Sequence, residues 1–581
     1  GSLFFLLANI APWAMSGQST YGDYLSSNKQ NLADEIIKPS VQSPDVAAFQ
    51  KTNFITTSNF TGRANVSVPV YTIDYGGMQV PISLSYNTSG VKVASMSSRV
   101  GLNWSLHAGG VVSRVIQGLD DFTYPAFLGS DADMRSPEGW LAGLNPNKED
   151  RGYPNPNNDA LPDKFIVSAP GLNTEFVTKK NGTALDLRRS GNIFNPDFDF
   201  VDRDYIAPSG NSAIASDFGL NSLEVTSLDG IKYYFETLDL TNGTAGGFDI
   251  PTNYLDSMTN LNTGETITFE YESFSNYYHD DTELYVTSYG GGTLDGFRDK
   301  DSYTYFRLGQ RLKKINYDTG SVEFIYSQGD RLDYPGEKAL TRILVKDYNG
   351  KIVKDFRLSH SYFQSGIESG TPESKRLRLD EVFEVNSSGD SKPGYKFTYN
   401  TSYDMPPRDS YAYDFLGYNN GVYSSGNSDP SPKMYFYDNK ITPLYRSSAI
   451  ALPGNYSMAA SFNYAKAYSL KKIELPTGGS NEFEYELNQF SYKGKIYSGA
   501  GLRIKTQYLK AADGADQIID YEYSSGSIGL MPTYAAVYLK SGSFSTPSSL
   551  SNLTNQLGID TFSSPRSQIE LNNGSLVGYQ R

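Results

Sequence analysis

Hydrophobic and polar residues alternate along most of this chain with a period of two, the spacing of half-buried β-strands. Val66–Tyr71 and Val80–Tyr86 read as strands, and Tyr75-Gly76-Gly77-Met78 between them supplies the turn of a β-hairpin. In Val100–Gly118, the paired Gly109-Gly110 ahead of a Val/Ile alternation predicts a turn or bulge feeding a further strand. Lys164–Val167 and Glu175–Thr178 return to strand character. Leu223–Thr226 and Ile231–Glu236 flank Leu228-Asp229-Gly230 and predict another hairpin. Residues 130–160 are rich in Asn, Asp, Pro and Gly and read as a surface loop. Helical signals are scarce; Asp34–Lys38 and Leu550–Leu557 are read as short helices.

From Tyr254 onward one pattern recurs at irregular spacing. An apolar strand with Leu or Ile leads through a Gly-containing turn to a strand ending in aromatic-x-Tyr. Instances begin at Tyr254, Arg311, Arg376, Ser469 and Gly501, with a variant at Ala339. The closing rings sit two apart: Phe269 and Tyr271, Phe324 and Tyr326, Phe397 and Tyr399, Phe483 and Tyr485, Tyr521 and Tyr523. Period two puts each pair on one strand face, extended by Ile267, Val322, Tyr395 and Ile519, with the intervening charges on the other. One hairpin alone is marginal in water. Side by side, such hairpins build one long sheet with a continuous stripe of rings. The expected fold class is all-β.

Composition sharpens this. The 45 Tyr and 31 Phe compensate for a hydrophobic share of 38%, and 54 Gly with 28 Pro imply many turns. At 581 residues the length prior is about four domains. A net charge of -14 argues against sequence-independent nucleic-acid binding. The absence of Cys excludes disulfides, thiolate metal sites, a Cys nucleophile and a lipid anchor on Cys. His107, His279 and His360 are the three histidines, far apart in sequence, and no HExxH, P-loop or GxSxG pattern occurs. Most familiar enzyme chemistries are thereby disfavoured. Glycosidase chemistry survives, because it needs two placed carboxylates.

Leu3–Ala14 is too short to span a bilayer and fits the apolar core of a secretory signal, with Ala14-Met15-Ser16 as a cleavage site. A basic start is missing, because the chain opens Gly1-Ser2. A polar stretch follows. The protein is read as soluble and exported, secreted or at the cell surface, with no stable membrane span.

Tyr278–Glu283 clusters His279 with Asp280, Asp281 and Glu283, but reads as a solvated loop rather than a metal site. Asp197, Asp199, Asp202 and Asp204 alternate with aromatics and read as a strand with an acidic exposed face; Asp131-Ala132-Asp133 is a weaker acidic pattern. His107 reads as a buried, satisfied structural histidine, and His360 as a strand residue. Tyr411, Tyr413, Tyr418 and Tyr423, with Asn419 and Asn420, are the candidate ligand-facing aromatics. No catalytic, cofactor or metal-binding residue is assigned.

Several motifs then resemble a known family. They are Val68–Val93, VGLNWSLHAGGVVSRVIQGLDD (Val100–Asp121), the Leu223–Glu236 hairpin, RDSYAYDFLGYNNG (Arg408–Gly421), LPTGGSNEFEYE (Leu475–Glu486), GAGLRIK (Gly499–Lys505) and GSLVGYQR (Gly574–Arg581). In order and spacing they resemble the N-terminal portion of the large Rhs/YD-repeat proteins of Bacteroidota, over most of residues 45–581. The resemblance implies a secreted protein whose β-rich N-terminal region leads into repeats wound as a β-spiral shell. In relatives the shell encloses a C-terminal toxin or effector, and export in this phylum commonly uses the type IX system. Typical YDxxGR repeats are absent; Asp318-Thr319-Gly320 and Tyr348-Asn349-Gly350 are degenerate versions.

The expected organisation is a signal-like segment at 1–16, a polar leader at 17–60, an N-terminal β domain at 61–240 and degenerate hairpin repeats at 241–581, continuing beyond. The expected role is non-enzymatic: forming or plugging a shell that encloses or presents an effector. Expected partners are downstream repeats, the effector of the same polypeptide and secretion machinery, without nucleic acid or cofactor. The alternatives are a cell-surface adhesin or glycan-binding module, and a carboxylate-dependent glycoside hydrolase.

Overall fold

The computed structural model describes residues 55–115, 162–178, 183–206, 212–242, 248–290, 293–367, 370–410, 412–414, 416–423, 435–436, 450–451, 459–492, 494–512, 516–524, 526–528, 536–539, 559–562 and 577–579. They belong to one compact unit. The signal-like segment, the 130–160 loop, Asp131–Asp133 and both expected helices lie outside the described residues.

The described residues are almost entirely strand. A four-stranded sheet comes first: β1 (Thr56–Thr57), β2 (Ala64–Tyr75), β3 (Met78–Asn87) and β4 (Trp104–His107). The expected β2–β3 hairpin turns at Gly76 and Gly77, whose φ values of 60° and 74° suit glycine. After Gly109-Gly110 the chain leaves this sheet for β5 (Val111–Val115), β6 (Lys164–Ala169), β7 (Leu172–Thr178) and β8 (Ala184–Asp186).

A second, much larger sheet grows hairpin by hairpin. Beyond β5–β8, which belong to it, its strands are β9 (Ile193–Ile206), β10 (Ser212–Thr226), β11 (Ile231–Asn242), β12 (Phe248–Asn260), β13 (Thr266–Gly290), β14 (Thr293–Tyr317), β15 (Gly320–Tyr326), β16 (Leu340–Asp347), β17 (Ile352–Gln364), β18 (Lys375–Val385) and β19 (Tyr395–Tyr399). Short pairs β20 (Tyr435–Phe436) and β21 (Ile450–Ala451), and a one-turn helix α1 (Phe462–Ala465), intervene. The sheet resumes with β22 (Leu470–Glu474), β23 (Ser480–Tyr492), β24 (Lys495–Lys510) and β25 (Asp516–Asp520). β26 (Ser527–Ile528), β27 (Ala536–Leu539), β28 (Ile559–Phe562) and β29 (Val577–Gly578) complete the described strands. Successive neighbours from β9 to β25 are antiparallel. The division expected at residue 240 falls inside β11, two residues before its end. Asp318-Thr319 and Asn349-Gly350 turn the β14–β15 and β16–β17 hairpins.

The expected ring stripe is the core face. Ile267, Phe269, Val322, Phe324, Phe397, Tyr399, Phe483 and Tyr485 are buried, whereas Thr268, Glu270, Lys396 and Thr398 are exposed. The acidic reading of β9 also holds where its side chains are described: Asp197 and Asp199 are exposed and Phe198 is half-buried.

The second tyrosine or ring of each repeat does more than fill space. Tyr271 donates its hydroxyl to the Leu255 carbonyl (2.7 Å), Tyr326 to Leu312 (2.7 Å), Tyr399 to Leu379 (2.7 Å), Tyr485 to Leu470 (2.5 Å) and Tyr523 to Ile504 (2.6 Å). Each acceptor immediately precedes a residue skipped in the strand register: Asp256, Lys313, Asp380, Lys471 and Lys505. A bulge interrupts the hydrogen-bond ladder, and a buried carbonyl needs a donor. The tyrosine supplies it.

Three of these bulge residues also hold the N-terminal segment, as does Leu340 beside the skipped Thr341. The Leu255 amide donates to Gly110 O, Leu340 to Arg99 O, Leu470 to Tyr86 Oη and Ile504 to Gly62 O, at 2.8 to 3.0 Å. Trp104, 1% exposed, lies 4.6 Å from the Phe397 ring and donates Nε1–H to the Tyr399 hydroxyl. The small sheet is thus joined to the stripe by backbone bonds as well as by ring packing.

Candidate functional site

β12 pairs with two different strands along one edge. Thr252–Tyr254 pair with Val111–Ser113 of β5, and Ser257–Thr259 pair with Thr266–Thr268 of β13. Near this divergence, β14 bonds back to β11 through Leu308–Leu240 and Arg307–Thr241. A cavity of about 770 Å³ opens there, lined from β5, β12, β14 and the segments 96–110 and 326–340.

Charged groups in its wall occur in pairs. Arg307 donates Nε–H and Nη2–H to Asp239, which also accepts the Tyr254 hydroxyl at 3.1 Å. Glu337 accepts Arg99 Nη2–H at 3.0 Å on one oxygen and Arg311 Nη1–H at 3.2 Å on the other. Arg331 pairs with Asp333 at 2.7 Å, and both side chains are buried. The guanidiniums of Arg311, Arg99 and Arg307 surround the Phe274 ring at 4.6, 5.1 and 5.8 Å from its centroid, a cation–π arrangement. A side chain at Gly309 would strike that ring, because its Cβ would lie 2.3 Å away.

Burial pushes the Tyr254 phenol up to about 12, with Asp239 adding to the effect. Burial works against the Arg307 charge, but the hydrogen bonds and charge of Asp239 outweigh it and raise its pKa. Asp239 and Glu337 spend their oxygens on these donors. The wall therefore offers fixed hydrogen-bonding groups and four tyrosine rings (Tyr254, Tyr271, Tyr326 and Tyr334), and because Glu272 also lies 3.0 Å from Arg311 Nε, its four arginines are matched by four carboxylates.

His107 lies at this cavity and corrects an expectation. The residue is exposed rather than buried, because it shares with Ser105 the face of β4 opposite the buried Trp104, where its Nε2 lies 2.6 Å from Ser85 Oγ. Packing around the ring lowers its pKa. His360 is on β17 as expected, half-buried, with Nε2 at 2.8 Å from Val100 O.

The candidate ligand-facing tyrosines are also corrected. Tyr413 is 6% exposed and Tyr418 is 2% exposed. Tyr418 bridges to Lys92, and its ring fills the space left by Gly90 and Gly501. Asp414 Oδ1 accepts the Leu416 and Tyr418 amides and turns this segment inward. Tyr423 is half-buried and donates to Asp404 O at 3.2 Å. Tyr411 lies outside the described residues. The Tyr278–Glu283 cluster is strand rather than loop: its backbone pairs with Lys300–Tyr305 across the long β13–β14 hairpin. A strand sends consecutive residues to opposite faces.

Among the described residues, no three His, Cys, Asp or Glu side chains gather as metal ligands would. Among them, no helix is long and apolar enough to cross a membrane. The cavity charges escaped sequence reasoning because they meet across long separations: Arg99 and Glu337 are 238 positions apart, Asp239 and Arg307 68.

No protein-family model matches the chain, and no curated protein matches it. Among solved structures, a TcdB2-TccC3-TEV chain aligns over 63% of this chain with 13% identity and a TM-score of 0.30. A chain of a Photorhabdus luminescens Tc holotoxin pore aligns over 80% with 11% identity and a TM-score of 0.30. The alignments cover 17% and 21% of those chains, about a fifth of their length.

Proposed function

We propose that this chain is a structural, non-enzymatic part of a larger exported Rhs/YD-repeat protein, whose sheet encloses or presents an effector carried elsewhere in the same polypeptide. The observation that supports this reading is the line of bulges. It joins successive hairpins through tyrosine hydroxyls and anchors the N-terminal segment through backbone amides. Such a sheet grows by adding hairpins, and the N-terminal sheet plugs its ring-lined face. Closing a sheet also hides its edges. Electron microscopy of the full-length polypeptide tests this. A closed β-wall around density from another part of the chain is expected; separate solid domains without a lumen would overturn it.

A second reading, glycan binding, moves from the buried tyrosines to the cavity. Charge-balanced walls favour a neutral ligand, and Tyr rings beside Thr252, Ser168 and Gln310 suit a polyhydroxylated one. Isothermal titration with a panel of neutral oligosaccharides is the measurement. Binding that Thr252→Val weakens about tenfold supports it; absence of binding across the panel removes it.

A further inference from the structure

Arg376 is the second residue of β18, and its side chain is 0% exposed. Its Nη2 donates to two neutral carbonyls, Val93 O at 2.8 Å and Pro406 O at 2.9 Å. Its Nε and Nη1 have no partner. A buried charge is costly unless it is both hydrogen-bonded and paired. Carbonyls meet the first need for one nitrogen and the second for none.

The surroundings sharpen the deficit. Arg408 is buried beside it, and its Nη2 donates to Asp333 O at 2.7 Å. The buried carboxylate nearby is Asp333, but it is taken up by another arginine. Its Oδ1 accepts Arg331 Nε at 3.0 Å, and its Oδ2 accepts Arg331 Nη2 at 2.7 Å and the Leu377 amide at 3.0 Å. Asp409 acts on Arg376 through its charge alone, from a half-buried position. Burial first, and then Arg408, push the Arg376 pKa down to about 9, which leaves it charged at neutral pH.

We propose that Arg376 Nε and Nη1 bind a small inorganic monoanion of the chloride class, held inside the protein where β18 meets the segments 93–98 and 406–408. Water would satisfy the two N–H groups but not the charge. A chloride does both. The ion would fasten the exit of the N-terminal sheet to the ring-lined sheet.

The test uses the full chain at matched ionic strength. The thermal midpoint is measured in sodium chloride and in sodium gluconate, whose anion is too large to be enclosed. A midpoint about 2 °C higher in chloride is expected, rising with chloride concentration. Arg376→Met should abolish that difference. Anomalous diffraction from bromide-grown crystals of the unaltered chain provides an independent readout if the variant does not fold. A peak within hydrogen-bond reach of Arg376 Nε and Nη1 supports the site. Equal midpoints in both salts, or bromide crystals without that peak, would overturn it.

Discussion

The hydroxyl of Tyr326 donates to the carbonyl of Leu312 at 2.7 Å, one strand back along the chain and beside the skipped residue Lys313. The relationship is repeated by four other tyrosines, so the aromatic-x-Tyr ending is a hydrogen-bonding requirement as well as an apolar one.

Removing one hydroxyl should therefore be felt. Tyr485→Phe leaves the ring in place and orphans the Leu470 carbonyl, at a cost of about 1–3 kcal/mol. Urea unfolding reads the loss. Tyr348→Phe, at a turn where the ring is 77% exposed, should leave the midpoint unchanged.

Gly501 should tolerate no side chain. Its φ is +81°, and a Cβ there would lie 2.3 Å from Ser89 O and 2.6 Å from the Tyr418 ring. Gly501→Ala is expected to cost at least about 2 kcal/mol, through backbone strain and displacement of Tyr418. Gly350→Ala shares the positive φ but meets open space, so it should cost less.

Asp414 should make stability depend on pH. Burial pushes its carboxyl up to about 6, against the pull of the Leu416, Tyr418 and Gly417 amides and the Lys92 charge. The folded chain then holds this proton more tightly than the unfolded chain. Its contribution is fullest below about pH 4 and is lost as pH rises through 6, by up to about 3 kcal/mol. Asp414→Asn keeps an oxygen for the two amides and should flatten that part of the stability-against-pH curve. An unchanged curve would refute the assignment.

Asp333 should matter more than any surface carboxylate. Asp333→Ala strips the buried Arg331 of its partner and should cost about 3–5 kcal/mol. Glu384→Ala breaks pairs to the exposed Lys392 and Lys354 and should cost under about 1 kcal/mol. Chemical denaturation of both variants checks the contrast.

The strand pattern was legible because period two exposes a core face directly, as Ile267, Phe269 and Tyr271 show. The hairpin turns were legible because Gly76-Gly77 and Asn349-Gly350 carry their own chemistry. Tyr413 and Tyr418 misled for a physical reason: a tyrosine cluster with asparagines reads as surface until Asp414 is seen to turn the segment inward. His107 misled the other way, since its apolar neighbours Leu106 and Ala108 suggested burial that its strand face does not provide. The cavity was not legible. Its Arg99–Glu337 and Asp239–Arg307 pairs join residues that only the fold brings together.

Each tyrosine in the series reaches backward in sequence, to an acceptor 14 to 20 positions earlier. No hairpin in it waits on a later one for that bond. A chain threaded out of an export channel from its N-terminus would find every acceptor already laid down. Assembly could proceed like knitting, each row caught on the one before, with little unpaired backbone exposed at any moment.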